Sequence, residues 1–289
     1  MKNNGICHEI NNLFISSILL HCGYKMDKNV NYKTILNNSI VSKYLKNVIS
    51  DTLIKYINNE LDFSYKVIYL RNKADAECMI CYNEHNCYLV FIGTQIGLHD
   101  RLSLYKDLLT DLCLGLESID FLNPKIKIHS KYIDNMICDD LLNRIIKIIS
   151  ELKFNKINIC GHSMGCGLGL YTSIVLAHKF NNKCFNLITL DSLKIGNNAL
   201  NKYVKKIFNL THIDLINNKD IVPLFPFIYP EYLHISSKTY ITDREGNIKI
   251  CDDTNELNIF SNYSIKDHLM SSIITNIYKC IKRSKYEKN

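Results

Sequence analysis

Apolar and polar positions along this chain recur in two rhythms. Val41, Leu45, Val48, Ile49, Leu53 and Tyr56 fall at helical spacing. So do Ile133, Ile137, Leu141, Ile145, Ile148, Ile149 and Leu152, and, near the end, Met270, Ile273, Ile274, Ile277 and Ile281; such stripes predict amphipathic helices. Residues 10–22 read as a further helix, and 24–40 as polar loop. The second rhythm is of short apolar runs bounded by turn residues, which predict strands at 66–70, 76–82 and 87–92, with Asn83-Glu84-His85-Asn86 turning the last two into an antiparallel pair at one side of a sheet.

From residue 124 onward the two rhythms alternate. Strands are expected at 124–129, 157–160, 184–190 and 211–216, and helices fall between them, including one over 197–206. Strand and helix in alternation mean βα units, and hence an α/β fold with a mainly parallel sheet. Residues 104–112 have helical character and 232–250 read as a meander of short strands. No repeat or low-complexity linker interrupts the chain, so residues 1–289 are expected to form a single domain, with 1–60 a helical N-terminal segment and 282–289 a basic tail.

Composition narrows the function classes. The net charge is +7, yet the lysines are scattered among asparagine and isoleucine and form no basic stripe with interleaved aromatics, so nucleic acid is not an expected partner. The chain has 12 cysteines; most, such as Cys160, Cys184 and Cys280, sit in apolar runs where a reduced thiol acts as a small hydrophobe. Cys78 and Cys81 have zinc-like spacing, but a strand sends positions three apart to opposite faces, and no metal site is expected there. The apolar stretch 13–20 is short, follows an acid and precedes no cleavage site. It reads as an amphipathic helix rather than a signal peptide, and no run approaches membrane-spanning length. Together with the cysteine usage, this gives the expectation of a cytoplasmic protein.

The chemistry gathers at Gly161-His162-Ser163-Met164-Gly165, between the strand 157–160 and a helical pattern through Leu168, Tyr171, Thr172 and Val175. A G-x-S-x-G sequence between strand and helix is the pattern of a nucleophile elbow. The glycines permit a tight bend, and the serine hydroxyl stands clear at a helix N-terminus whose unpaired N–H groups favour an oxyanion. The plain alternative is a Gly/Ser turn before a core helix. Catalytic groups of open parallel sheets collect at the carboxyl ends of strands, so an acid is sought after a later strand. Position alone ranks Asp220 only slightly ahead of Asp191, while Asp214 would point from within its strand. The base should be a late histidine. His268, after an irregular loop and before a helix, is preferred to His234, which lies in a strand pattern. Oxyanion donors are expected from the N–H of Met164 and from Gly93-Thr94, with the Thr94 hydroxyl adding a bond.

With these residues in place the chain resembles the class 3, or fungal-type, lipase family of α/β-hydrolases. The resemblance runs in order through Phe91-Ile92-Gly93-Thr94, residues 107–112, His129-Ser130, Gly161 to Gly165 with Gly167-Leu168, residues 191–197, Asp220-Ile221-Val222-Pro223 with Pro226, and Asp267-His268-Leu269. It implies an α/β-hydrolase fold, a mainly parallel central sheet with helices on both faces. It also implies a triad of Ser163, Asp220 and His268 and an oxyanion hole of Thr94 and Met164. Asp191 matches a place where the family usually has glycine, and residues 95–112 match a lid or lid-adjacent segment. Ile92, Leu108, Cys166 and Leu193 stand where the family has arginine, tryptophan, glycine and proline, and Ser271 where a tyrosine often follows.

The implied activity is hydrolysis of carboxylic esters of acylglycerols through an acyl-enzyme, with neither cofactor nor metal. Phospholipase A1, a general carboxylesterase, an acyltransferase using the same intermediate, and a catalytically silent lipid-binding protein on the same fold are the rivals. The apolar residues Leu102, Leu104, Leu108, Phe225, Phe227 and Ile228 are candidate pocket material, though core is the ordinary place for each. Positive charge suits transient contact with anionic lipid surfaces.

Overall fold

The computed structural model describes residues 2–26, 32–93, 115–226, 229–251 and 263–286. Its centre is a nine-stranded sheet in the order β1-β2-β3-β4-β7-β8-β9-β10-β11. The first four strands, β1 (Tyr32–Asn37), β2 (Ser64–Arg71), β3 (Glu77–Tyr82) and β4 (Cys87–Ile92), pair antiparallel. From β4 the sheet runs parallel through β7 (Lys156–His162), β8 (Cys184–Leu190), β9 (Leu210–Asn217) and β10 (Lys238–Thr242). The strand β11 (Ile248–Cys251) closes the far edge antiparallel, and β5 (Leu116–Ser118) with β6 (Lys127–His129) forms a separate small sheet. In β7 all residues but Lys156 are buried, which is why it reads as an unbroken apolar run: a central parallel strand has no wet face.

Helices cover both faces. One core cluster joins the sheet to α4 (Ser130–Ile137), α5 (Leu141–Glu151), α6 (Gly165–Lys179) and α7 (Asn198–Val204). The other joins the opposite face to α1 (Lys2–Lys25), α2 (Asn38–Leu45), α3 (Asp51–Glu60) and α8 (Met270–Tyr286). Cys78 belongs to the first cluster and Cys81 to the second, so β3 does send them to opposite faces. The ten cysteines among the described residues are unpaired, and Cys184, expected inside an apolar run, is exposed. Among the described residues no helix is long and apolar enough to cross a membrane.

The α/β fold class is as expected, with four local differences. The stretch 24–40 contains β1, an edge strand whose exposed alternate positions disguise it. The helix expected over 41–57 is two helices, because Ser50 accepts the Leu53 N–H and starts a new one. The long helix after residue 130 is broken at Asp139 and Asp140, both left-handed at φ 49° and 59°. The meander 232–250 reduces to β10, β11 and a bridge at Leu233. The helical reading of 104–112 lies outside the described residues.

Candidate active site

Strand β7 ends at His162, and Ser163 follows at φ +56° in the bend before α6. Both flanking glycines are required by close approach. A Cβ on Gly161 would sit 2.5 Å from the Gly165 carbonyl oxygen, and one on Gly165 would sit 2.3 Å from that of Phe91; real side chains do not approach backbone so closely. Across the bend, the same atom on Gly93 would lie 3.1 Å from Ser163 Cβ, which places the end of β4 against the serine. Thr94, the expected oxyanion donor, lies outside the described residues, as do residues 95–112 of the expected lid segment and Phe227 and Ile228. Met164 opens α6, so its N–H is among the donors that a helix start leaves without an intrahelical acceptor. Phe225, named as pocket material, is core.

Asp220 sits in the turn after β9, its N–H bonded to the Asn217 carbonyl at 3.1 Å. Its Oδ1 accepts the Val222 N–H at 3.0 Å and its Oδ2 accepts from His268 Nδ1 at 2.6 Å. His268 ends a short helical turn, Ile265–His268, just before α8. With Nδ1 donating to Asp220, Nε2 carries the lone pair, and that atom is buried without a hydrogen-bond partner. Ser163, Asp220 and His268 are all buried, at 3%, 3% and 2% exposure. The structure thus joins Asp220 to His268 and sets His268 beside the elbow residue His162, the two rings stacked at 4.5 Å.

His162 fastens this arrangement. Its Nε2 bonds the His268 carbonyl oxygen at 3.1 Å and must therefore carry the proton, which leaves Nδ1 to accept from the Tyr24 hydroxyl at 2.8 Å. That hydroxyl in turn accepts the Gly93 N–H at 3.1 Å. Burial, and then the neighbouring His268, lower the His162 pKa well below the usual histidine value, consistent with a neutral ring. The His268 turn has a second anchor. Asp267 meets Arg244 at 3.2 Å and accepts from Asn218 at 2.8 Å, while its carbonyl accepts from Asn217 Nδ2 at 2.6 Å.

The alternatives weighed from sequence lie in other settings. His234 bonds the Pro223 carbonyl and lies 4.0 Å from Asp214, in a buried cluster with His212 and Thr189. Asp191, at the end of β8, is fully buried and accepts the Asn217 N–H at 2.6 Å. His162, Asp191 and His268 place one potential ligand atom each within 4.8 Å of one another. Both His162 nitrogens and His268 Nδ1 are already engaged in hydrogen bonds. Sequence reasoning passed over Tyr24, Asn217 and the fastening role of His162; the signal available was His162 itself, the x of G-x-S-x-G.

A parallel sheet flanked by helices, with a strained serine bend and an Asp–His pair at the carboxyl ends of its strands, is the arrangement of an α/β-hydrolase. Residues 93–229, which include the serine bend and Asp220, match the family model for lipase (class 3), and this stretch is of the class 3 lipase family. Solved structures extend the likeness of fold to both sides of it. Rhizomucor miehei triacylglyceride lipase superposes with a TM-score of 0.68 at 18% identity, covering 93% of this chain and 97% of that one. A lipase from Rhizopus microsporus var. chinensis gives 0.64 at 17% identity, with 91% and 86% covered. A triacylglycerol lipase from Penicillium expansum gives 0.61 at 14% identity, with 86% and 85% covered. No curated protein matches by sequence.

Proposed function

We propose that this chain is a serine esterase of lipase type that hydrolyses acylglycerol esters. The observation that carries the reading is the 2.6 Å Asp220–His268 bond at the serine bend, with His268 Nε2 left unpaired in a buried setting. Ser163 Oγ attacks the ester carbonyl as its proton passes to His268 Nε2, and Asp220 stabilises the imidazolium that forms. The tetrahedral oxyanion is held by the Met164 N–H and by Thr94, each donor worth about 3 kcal/mol of the barrier. The alcohol leaves with the proton from His268, and water activated by the same ring releases the fatty acid.

The test is labelling by a fluorophosphonate, which modifies activated serines. Wild type is expected to label and Ser163→Ala not to; an unlabelled wild type, or equal labelling of both, would favour a silent lipid-binding protein. Turnover of mono- and triacylglycerols, phospholipids and p-nitrophenyl esters then separates a lipase from a phospholipase A1 or a general carboxylesterase. Transient binding to anionic lipid surfaces is part of the proposal, supported by the +7 charge; vesicle sedimentation with and without anionic lipid tests it. A reducing, cytoplasmic setting is proposed from the unpaired thiols, with Cys160 pushed up to about 12 by burial; cell fractionation tests that.

A further inference from the structure

Three turns lead into the parallel strands β7, β8 and β9 at their amino ends, the end of the sheet opposite the serine bend. They are bonded to one another. The Cys184 N–H donates to the Asn155 carbonyl at 2.7 Å, and the Phe185 N–H to that of Asn209 at 2.8 Å. Lys183 Nζ donates to the carbonyls of Leu152 and Phe154 at 3.0 and 2.8 Å, and the Asn209 side-chain amide donates to those of Ala177, Phe180 and Lys183. The sheet thereby gathers on one edge three stretches that lie far apart in the sequence.

That edge is basic. The first turn carries Lys153 and Lys156, the second Lys179 beside Lys183, and the third, with the end of α7, Lys202, Lys205 and Lys206. All but Lys183 are exposed, and among the described residues no ion pair engages any of the seven. In residues 151–156, 178–184 and 202–209 the one acid is Glu151. Unpaired like charges on one edge repel, and a negative surface relieves that repulsion.

Apolar rings stand among the lysines. Phe208 is 81% exposed although the next residue, Asn209, is buried. Phe121, 50% exposed, meets the His178 ring at 5.1 Å, and that ring stacks on Tyr203 at 6.0 Å. Cations around exposed rings suit the boundary of a bilayer, where lysine is drawn to negative headgroups and an aromatic ring enters beneath them. A face for nucleic acid would call instead for arginine, whose planar fork clasps phosphate, and all seven cations here are lysines.

We propose that this edge is a docking surface for anionic lipid bilayers, with Phe208 entering the headgroup boundary and the lysines of the three turns holding it there by charge. Lys156 opens β7 and Ser163 follows its end, so the serine bend lies about 20 Å from the docked edge. Docking is thus separate from ester binding, and an ester reaches Ser163 from the side away from the docked bilayer.

The docking rests on the lipid-surface contact proposed above and needs no esterase chemistry. Sedimentation of the full chain with phosphatidylcholine vesicles, with and without phosphatidylserine, tests it. Wild type is expected to bind the anionic vesicles alone and to release as salt is raised. Lys202→Gln/Lys205→Gln/Lys206→Gln is expected to bind about hundredfold more weakly, at about fivefold per lysine. Lys33→Gln/Lys43→Gln/Lys46→Gln loses the same charge at exposed positions in and beside β1 and α2, and is expected to bind like wild type. The chain has no tryptophan, so Phe208→Trp reports its own depth: its emission is expected to shift to the blue on anionic vesicles and to be quenched by brominated lipid. Equal binding by the two triple variants, or a tryptophan emission that vesicles leave unchanged, would overturn the location and leave lipid-surface contact standing. A wild type that ignores anionic vesicles, or binds single-stranded RNA in their place, would overturn both. Sedimentation is read without turnover, so the esterase reading is judged separately by the labelling of Ser163.

Discussion

Ser163 holds its place in the bend with a left-handed backbone, φ +56°, which glycine adopts freely and alanine does not. Ser163→Gly is expected to be more stable than Ser163→Ala by about 1 kcal/mol in urea melts; equal midpoints would mean that the bend is unstrained. His162 gives a second residue-scale expectation. His162→Phe keeps a ring against His268 but removes the bonds to the Tyr24 hydroxyl and the His268 carbonyl. Leaving those groups unpaired should cost about 1–3 kcal/mol of stability, and kcat should fall about tenfold or more with KM little changed. Wild-type kcat in that variant would remove His162 from the positioning of His268. The proposed triad was read from G-x-S-x-G, a local pattern, and from the two histidines that follow Asp220, while the choice of Asp220 over Asp191 came from the family resemblance. The fastening of His162 was not legible, since its partners lie 138 and 106 positions away, and no spacing rule reaches so far.

At the scale of elements, the His268 turn is held by the end of β9. Asn217 donates to the Asp267 carbonyl and to Ser272, and accepts from Thr242 and Asn276 on β10 and α8. Asn217→Ala strands these partners, of which Asp267, Thr242 and Asn276 are buried, so a loss of about 2–3 kcal/mol in denaturant melts is expected. The catalytic loss should exceed the fraction unfolded, because the Asp267–His268 turn loses its strand-end anchor. Activity that simply tracks the folded fraction would show that Arg244 and Asn218 suffice. The same scale explains which elements misled the sequence reading. The regular stripe Ile133, Ile137, Leu141 suggested one continuous helix, yet the buried positions are Tyr132 and Met136, then Leu141, Ile145 and Ile149, with Ile137 58% exposed. The left-handed pair Asp139-Asp140 shifts the helical phase between α4 and α5, and aspartate tolerates that conformation through its short polar side chain. Edge strand β1 escaped for a different reason: with one side unpaired and most of its residues partly wet, it lacks the apolar run that identifies β7.

Taken as a whole molecule, the chain buries ionisable groups outside the proposed triad, and these contribute to how stability responds to pH. Asp214 is pushed up to about 7 by burial, while burial lowers His212 to about 3 and His234 to about 4. For Asp214 the folded value lies above the unfolded value of about 3.9. The folded state therefore binds a proton that the unfolded state has released, and the associated stability, full below about 4, is lost as pH rises through about 7. The two histidines act in the opposite sense: their stability is full above about 6.5 and is lost as pH falls toward 4 and 3. Between about 4 and 6.5 two such groups outweigh one, so their joint contribution favours the upper end of that window. Asp214→Asn isolates the acid's share. The amide oxygen can still accept the Thr189 hydroxyl, which lies 2.6 Å from Asp214 Oδ1, and the amide nitrogen would face His234 where Oδ2 faces it now, at 4.0 Å. The stability of Asp214→Asn relative to wild type is expected to climb between about pH 4 and 7 and to level off beyond. Urea midpoints taken at matched ionic strength across that range measure it, and a difference that stays flat would mean that Asp214 titrates alike in the folded and unfolded chains.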